Sequence, residues 1–228
     1  MVKTVLVRGI GDVGSAVAYV LADAGFAVLI HDDPAPTYTR RGMAFVDAVF
    51  EGPTRLAQRI GKRAAARRSI PARQIGLAPL TIGLGPCFTA GETVHVAVET
   101  VWGDQLGRVV KQGCTLEQGE PRPLGGHGRE RFVYGRQRGV FRTARSIGEK
   151  VQAGEPIGAL GRETLCASLA GCIRGLTHDG VLVEANTKVI EIDLRGDAAA
   201  AFGLGERPRL IAEGVLRAIR DQEQEGRI

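Results

Sequence analysis

Aromatic residues are scarce in this chain of 228 residues, where seven Phe, three Tyr and one Trp make up 5% of the sequence. This scarcity disfavours nucleic acid as a partner, because surfaces that bind single strands need aromatic side chains among basic ones. Apolar runs are short as well, and none approaches the roughly 18 residues typical of a membrane-spanning helix. The first residues lead into a β-prone run rather than into a signal peptide. We therefore expect a cytoplasmic protein with no membrane partner.

Cysteine and histidine are also few, with four of each. The cysteines form no C-x-x-C motif, and no histidine stands at the spacing of a zinc site, so the sequence predicts reduced thiols and no bound metal. The remaining composition is that of a globular protein, with 44% hydrophobic and 24% charged residues. A net charge of +5 favours acidic ligands such as phosphates and nucleotides, or an acidic partner surface.

Glycine, by contrast, is abundant, and three of the 32 glycines form the motif Gly9-x-Gly11-x-x-Gly14 after a β-prone run. In a β-α-β unit the first glycine permits the tight turn, the second lets a phosphate approach the backbone, and the third lets helix and strand pack closely. The helical pattern that follows ends at Gly25, and Phe26–Ile30 is typical of a second buried strand. These residues predict a phosphate-binding turn at the start of the helix.

Charged residues near this turn extend the predicted site. Asp12 lies inside the turn, where its carboxylate would repel a pyrophosphate, and an alternative role is to cap the helix. Asp32 follows the second strand at the position usual for an acceptor of ribose hydroxyls. Arg40 and Arg41 come next, and guanidinium groups can clamp a phosphate. The alternatives are a Rossmann-like half that binds nothing and two arginines that are plain surface charge.

A second glycine-bounded loop follows a short strand that we predict over Leu80–Leu84. We expect the backbone N–H groups of the loop glycines, Gly83, Gly85 and Gly91, to form an anion-binding concavity. This loop would lie at the same sheet edge as the first turn, because open α/β sheets bind ligands beyond the carboxyl ends of their strands.

Three residues are candidates for catalytic chemistry. Cys87, in the second loop, is a candidate nucleophile, with a buried and unreactive thiol as the alternative. Glu99 and His127 are candidate acid–base groups, the latter in a Gly-rich loop that can deliver it to a site. The sequence leaves open whether the chain catalyses a reaction.

The chain divides into four sections by composition. They are an α/β part over residues 1–112 with a basic insert at 53–78, a Gly/Pro-rich loop over 113–131, a mainly β module over 132–195, and a helical segment over 196–228. Helices are predicted over Thr54–Arg68, in the basic insert, and over Arg209–Gln222, near the end of the chain.

The module over residues 132–195 contains two similar phrases, one beginning at Ile147 and the other at Gly180. This pattern is similar to the barrel-sandwich fold of lipoyl and biotinyl carriers, in which two quasi-repeated halves surround a small core. Carriers of that fold present a modifiable lysine at a hairpin apex. The apex region here, Glu163–Leu169, contains no lysine, so we expect a structural or docking module rather than a covalent carrier.

Four strings carry a resemblance that covers nearly the whole chain. They are VRGIGDVGSAVAYVL (7–21), RRGMAFVDAVFEG (40–52), IGLGPCFTAGETVHVAVET (82–100) and IRGL…DG…KV…EID (173–193). Together they resemble the accessory proteins of selenium-dependent molybdenum hydroxylase systems, which are similar to xanthine dehydrogenase maturation factors. The resemblance implies an α/β fold with an abbreviated Rossmann-like N-terminal part and a barrel-sandwich-like C-terminal part. It also implies a molybdenum hydroxylase as the partner.

Three functional hypotheses follow. In the first, the chain is a maturation factor that binds a nucleotide or molybdopterin dinucleotide, non-covalently, at the Gly9–Gly14 turn. In the second, it is an NAD(P)-dependent oxidoreductase, which the glycine turn and Asp32 support. In the third, it is a non-catalytic scaffold whose C-terminal module docks a partner enzyme.

Overall fold

The computed structural model describes residues 3–64, 80–86, 88–117 and 119–228. Within these ranges the two α-helices are α1 (Asp12–Asp23) and α2 (Glu206–Gln224), and neither has the length and apolar composition that a bilayer crossing requires. The strands are β1 (Thr4–Arg8), β2 (Ala27–His31), β3 (Thr54–Leu56), β4 (Arg59–Gly61), β5 (Ile82–Leu84), β6 (Thr89–Ala90), β7 (Val96–Val98), β8 (Val109–Val110), β9 (Gly113–Cys114), β10 (Phe132–Tyr134), β11 (Gly139–Arg142), β12 (Lys150–Val151), β13 (Pro156–Leu160), β14 (Glu163–Cys166), β15 (Gly171–Leu176), β16 (Leu182–Val183) and β17 (Lys188–Asp193). The chain is a mixed α/β protein in which most strands belong to several small sheets.

The first part of the chain is a β-α-β unit, as the glycine and apolar pattern predicts. Strands β1 and β2 pair in parallel, and α1 connects them. Helix α1 packs on α2, and the small and branched side chains of both form one core with Val7 and Val98. The final helix, predicted over Arg209–Gln222, is confirmed and begins three residues earlier.

The helix predicted over Thr54–Arg68 is wrong in its described portion, because residues 54–61 form the β3–β4 hairpin. The turn of this hairpin contains Ala57 at φ 49°, a backbone conformation that a helix does not allow. Leu56 is buried and packs with Phe45 in a small core. Tertiary packing of one leucine therefore overrides the helical propensity of the Ala/Arg-rich sequence. Residues 65–68, and the rest of the basic insert to residue 78, lie outside the described residues.

The middle of the chain forms a three-stranded sheet in the order β5-β7-β8, with β5 parallel to β7. Strand β5 lies within the predicted strand Leu80–Leu84 and is shorter. The sheet shares the α1–α2 core but forms no strand pairing with β1 or β2 among the described residues. The prediction that the second glycine loop shares a sheet edge with the first turn is therefore wrong.

The C-terminal part contains two four-stranded sheets, ordered β10-β17-β15-β12 and β14-β13-β11-β16. Their inward side chains, including Phe141, Leu160, Ile173 and Ile190, form a single apolar core, and the described strands do not close into a barrel. The hairpin apex predicted at Glu163–Leu169 is wrong for its first four residues, which form strand β14 and pair with β13.

Residues 37–43 join the N-terminal part to the C-terminal sheets. The Leu176 amide donates to the Thr39 carbonyl oxygen at 2.8 Å, and the Arg41 Nε donates to the Leu176 carbonyl oxygen at 2.8 Å. Gly175 is needed at this junction, since a Cβ there would lie 3.2 Å from the Thr39 side chain. The segment thus lies along β15 and carries Tyr38 and Arg40 to the boundary between the two parts.

Candidate ligand-binding site

The glycine-rich turn is built for close packing of helix on strand. A Cβ on Gly14 would lie only 1.9 Å from the Gly9 carbonyl oxygen, and Gly9 itself has φ +104°. Two of the three glycines therefore serve the geometric roles that their spacing predicts.

The surface of this turn is covered by Tyr38. A Cβ on Gly11 would lie 2.8 Å from a carbon of the Tyr38 ring, so the aromatic ring lies directly over the helix start. The Asp32 carboxylate accepts a hydrogen bond from the Ile10 amide and one from the Tyr38 hydroxyl. Burial, together with the charge and hydrogen bond of Asp32, raises the pKa of Tyr38 to about 12. The space in which a phosphate would meet Gly11 is thus filled by the protein itself.

Asp12 and Arg40 extend from the turn toward the C-terminal sheets. The Asp12 carboxylate accepts from the Val13 amide at 3.0 Å and from Arg40 Nη1 at 3.0 Å. The capping role predicted for Asp12 is not observed, because the N-cap of α1 is Gly11 and Asp12 is an acidic residue within the first turn. Its partner Arg40 leads to a buried charge cluster.

Glu191, on β17, is the centre of that cluster and is fully buried. Arg40 binds its carboxylate through two N–H groups at 3.1 Å each, and the Arg131 guanidinium and the Lys188 ammonium approach it at 2.6 and 2.9 Å. Arg174 adds a longer contact of 3.6 Å. Burial alone would raise the pKa of Glu191, but the surrounding cations hold it well below its ordinary range.

Asp193 forms a second ion-paired centre two residues along β17. Its carboxylate accepts from Arg174 Nη1 at 2.8 Å and from both Nε and Nη2 of Arg195, at 2.9 and 2.6 Å. Burial opposes ionisation, yet the two arginines keep the pKa of Asp193 well below its ordinary value. Both carboxylates are therefore ionised at neutral pH, and together they hold the basic side chains in place.

A cleft of about 1160 Å³ opens above these two carboxylates. The basic side chains that line it are Arg40, Arg122, Arg129, Arg131, Arg174, Lys188, Arg195 and Arg207. Its acidic lining side chains are Asp12, Glu120 and Glu206. Even with Glu191 and Asp193 beneath the lining, positive charge exceeds negative charge by three, so the cleft attracts anions.

Aromatic side chains form part of the cleft wall. They are Tyr38, Trp102, Phe132, Tyr134 and Phe202, and Trp102 is the only tryptophan in the chain. The Arg122 guanidinium lies 4.7 Å from the centre of the Trp102 ring. The site therefore combines flat apolar surfaces with guanidinium groups, which suits a ligand that carries both a planar ring and negative charge.

Arg207 differs from the other basic residues of the cleft. It lies in the first turn of α2, and its Nε donates to the Thr100 carbonyl oxygen at 2.8 Å. Within the part of the chain that the structure describes, it forms no ion pair. Burial lowers the pKa of Arg207; the Asp12 carboxylate opposes that shift, and the positive charge of Arg40 adds to it. A bound anion would relieve this unbalanced charge.

The structure brings only Asp12 and Arg40 of the predicted binding residues to this cleft. Gly11 and Asp32 are engaged by Tyr38 as described above. Arg41 faces the junction with β15, where it also forms an ion pair with Asp47.

The glycines of the second loop do not line the cleft either. A Cβ on Gly83 would lie 2.6 Å from the Phe88 ring, while Gly85 and Gly91 have φ +133° and +87°. These glycines serve close packing and loop turns, and their role in anion binding stays a prediction.

Of the three candidate catalytic residues, the structure describes Glu99 and His127. Cys87 lies outside the described residues. Glu99 is buried, and its carboxylate accepts from the amides of Thr100, Val101 and Leu116 at 2.7–2.9 Å. His127 closes a tight turn and its Nδ1 lies 3.0 Å from Glu130. Their catalytic roles stay predictions, and the described residues contain no group of His, Cys, Asp and Glu arranged to hold a metal.

Most residues of the cleft were missed by the sequence reasoning. Arg174, Lys188, Glu191 and Asp193 lie within the apolar strands IRGL and KVIEID, which were considered only as parts of a resemblance. Charged residues inside such strands are a usable signal, because a buried charge needs a partner and seldom persists without one.

No family model matches the chain. The chain is similar to the uncharacterized protein YqeB of Escherichia coli (strain K12), with 33% identity over 255 aligned residues. This match covers 95% of the chain and 47% of YqeB, so the chain spans about half the length of this relative. The ectoine utilization protein EutE (DoeB) of Ruegeria pomeroyi matches in its product-bound and apo structures with 18% identity and TM-scores of 0.27 and 0.28. These structural matches cover 38% of the chain and 28% of EutE.

Proposed function

We propose that the chain is a cytoplasmic accessory protein in the maturation of a molybdenum hydroxylase and that it binds a phosphorylated ligand in the cleft. The ligand class is a nucleotide or a molybdopterin dinucleotide, held non-covalently. Two lines support this proposal, the motif resemblance and the eight basic side chains around the cleft. The fold inference that accompanies it is an abbreviated Rossmann-like N-terminal part followed by a barrel-sandwich-like module.

The excess of positive charge in the cleft is the observation that carries the proposal. Guanidinium groups match phosphate oxygens with pairs of N–H donors, and such charge-assisted hydrogen bonds are roughly twice as strong as neutral ones. Arg207 has no carboxylate partner in the described structure, so it is available to an anion without breaking an existing ion pair. Trp102, also in the lining, offers a surface for a planar base.

The proposed phosphate site is the cleft and not the glycine turn that the sequence predicts. Tyr38 covers Gly11, and Asp32 is engaged by the Ile10 amide and by Tyr38. A dinucleotide at the turn would have to displace the Tyr38 ring and its hydrogen bond. This geometry weighs against the alternative of an NAD(P)-dependent oxidoreductase that uses the turn.

Ligand binding is testable through Trp102, whose fluorescence reports on the cleft alone because no other tryptophan is present. Titration with GDP, CDP, NADH and inorganic pyrophosphate should change the emission for at least one phosphorylated compound. Arg207→Gln should weaken that binding by roughly ten- to a hundredfold, since a hydrogen bond to a charged group contributes about 1.5–3 kcal/mol.

Arg209→Gln is the matched control, because Arg209 lies on the same helix but is exposed and paired with Glu213. Equal binding by the two variants, or no emission change with any compound, would contradict the proposed site. In a strain that makes a molybdenum hydroxylase, the proposal also requires Arg207→Gln to lower hydroxylase activity while Arg209→Gln leaves it unchanged. Normal hydroxylase activity with Arg207→Gln would favour the scaffold alternative.

A further inference from the structure

We propose that Lys188 is a reactive amine that forms an imine with a phosphate-bearing aldehyde or ketone in the cleft. This inference rests on the proposed function for the capture of the phosphate and goes beyond it by assigning a covalent site. The carbonyl carbon of the ligand would bond to Lys188 Nζ, while neighbouring guanidinium groups hold the phosphate.

Lys188 is a partly buried residue of the cleft wall. It is the first residue of β17, it lines the cleft, and 29% of its side chain is exposed. Its Nζ lies 2.9 Å from Glu191 Oε2 and 4.5 Å from the centre of the Phe132 ring. Lys188 is therefore part of the cleft wall, where a bound ligand would meet its side chain.

Lys188 differs from the other cations around Glu191 because its side chain can lose a proton. Arg40, Arg131, Arg174 and Lys188 all contact this one carboxylate, and among the described residues only Arg40 and Arg174 have a second carboxylate partner, Asp12 and Asp193 respectively. The guanidinium groups cannot lose a proton in the range in which proteins are stable, so Lys188 alone can relieve the excess of positive charge. Burial lowers the pKa of Lys188, with Glu191 opposing the shift and Arg40 adding to it. A lysine beside other cations and partly removed from water is a recognised form of activated nucleophile.

The reaction balances without any other reagent. The ammonium first releases a proton to water, and the free amine adds to the carbonyl carbon to give a carbinolamine. The carbinolamine hydroxyl takes up a proton and leaves as water, and the C=N bond of the imine forms. Hydrolysis reverses each step, so the link is reversible.

Pyridoxal 5′-phosphate is the probe, because it combines an aldehyde with a phosphate. After brief exposure and reduction with sodium borohydride, peptide mass spectrometry gives the extent of modification at each of the five lysines. We expect Lys188 to be modified at least about tenfold faster than the exposed Lys150, because a cleft lined by positive charge raises the local concentration and association rate of an anionic aldehyde by about 10–10³. Pyridoxal without its phosphate should lose this preference, and inorganic pyrophosphate should protect Lys188.

Equal modification of Lys188 and Lys150, or a preference that pyridoxal retains, would overturn the proposal. The variant Lys188→Arg keeps the positive charge beside Glu191 and should leave only background labelling. The fluorescence titration with nucleotides, run on the same protein, separates the two proposals. Nucleotide binding without selective labelling refutes the imine alone, whereas selective labelling without nucleotide binding refutes the proposed ligand class.

Discussion

At the scale of single residues, Glu191 determines the shape of the cleft floor. A fully buried carboxylate is costly unless it is paired and hydrogen-bonded, and here the pairing comes from four basic side chains. Removing the carboxylate would leave Arg131 and Lys188 without an ion-pair partner among the described residues, whereas Arg40 and Arg174 would keep Asp12 and Asp193. Glu191, although fully buried, therefore determines how the basic side chains of the cleft are arranged.

Glu191→Gln should lower the free energy of unfolding by about 3–5 kcal/mol at neutral pH, the usual cost of breaking a buried ion pair. Urea denaturation followed by circular dichroism measures this loss. Glu184→Gln is the control, because Glu184 is exposed in its pair with Arg138 and such pairs contribute about 0–1 kcal/mol. Similar losses in the two variants would show that the Glu191 cluster is not a major source of stability.

The pH dependence of stability should also change in Glu191→Gln. The folded pKa of Glu191 is depressed, so its contribution is fully present above the unfolded pKa of about 4.3 and is lost as pH falls toward the folded pKa. Wild-type stability should therefore decline below about pH 4, and the variant should decline less steeply. Asp193, whose pKa is also depressed, supplies the slope that remains. Parallel pH profiles for the two proteins would contradict this assignment.

Asp12 and Arg40, which the sequence marks because they stand beside a motif, both line the cleft, and their binding roles stay predictions. No local feature of the sequence marks Arg131, which immediately precedes β10, or Lys188, which is the first residue of β17. Their roles depend on Glu191, and the pairing that brings these residues together is made by the sheet β10-β17-β15-β12. No local sequence pattern predicts a long-range strand order of this kind.

At the scale of elements, the glycine turn and α1 are predicted correctly from local sequence, but the residue that covers the turn is not. The strand, turn and helix form as the spacing requires, and Gly14 permits the close contact with Gly9. Tyr38, however, comes from a segment whose path is fixed by the hydrogen bonds that the Thr39 carbonyl oxygen and the Arg41 side chain form with Leu176. A contact between residues so far apart in sequence decides whether the turn is open.

Gly14→Ala should destabilise the protein by at least about 1–3 kcal/mol, because the added methyl group would overlap the Gly9 carbonyl oxygen. Thermal unfolding followed by circular dichroism gives the comparison. Gly119→Ala serves as the control, since a Cβ there would meet no atom within 4 Å. A Gly14→Ala protein as stable as the control would mean that α1 is not in close contact with β1.

At the scale of the whole molecule, the segment 37–43 couples the two parts of the chain. Arg41 contributes a hydrogen bond to Leu176 and an ion pair to Asp47, so it connects the N-terminal part with β15. We expect a single unfolding transition, in which Trp102 fluorescence and far-ultraviolet circular dichroism change together.

Arg41→Gln should weaken this coupling and shift the Trp102 transition to lower urea concentration than the circular dichroism transition. Arg55→Gln is a suitable control, because Arg55 lies in the β3–β4 hairpin, has no hydrogen-bond partner among the described side chains and is exposed. Coincident transitions in Arg41→Gln would indicate that other contacts hold the two parts together.

The ion pairs around Glu191 also set an order of events during synthesis of the chain. Arg40 leaves the ribosome 151 residues before its carboxylate partner, and Arg207 follows later still. The cleft therefore has no floor until β17 has been translated. Under the proposed function, a truncated product that ends before β17 would carry the glycine turn but would lack the charge cluster that holds the basic lining of the cleft.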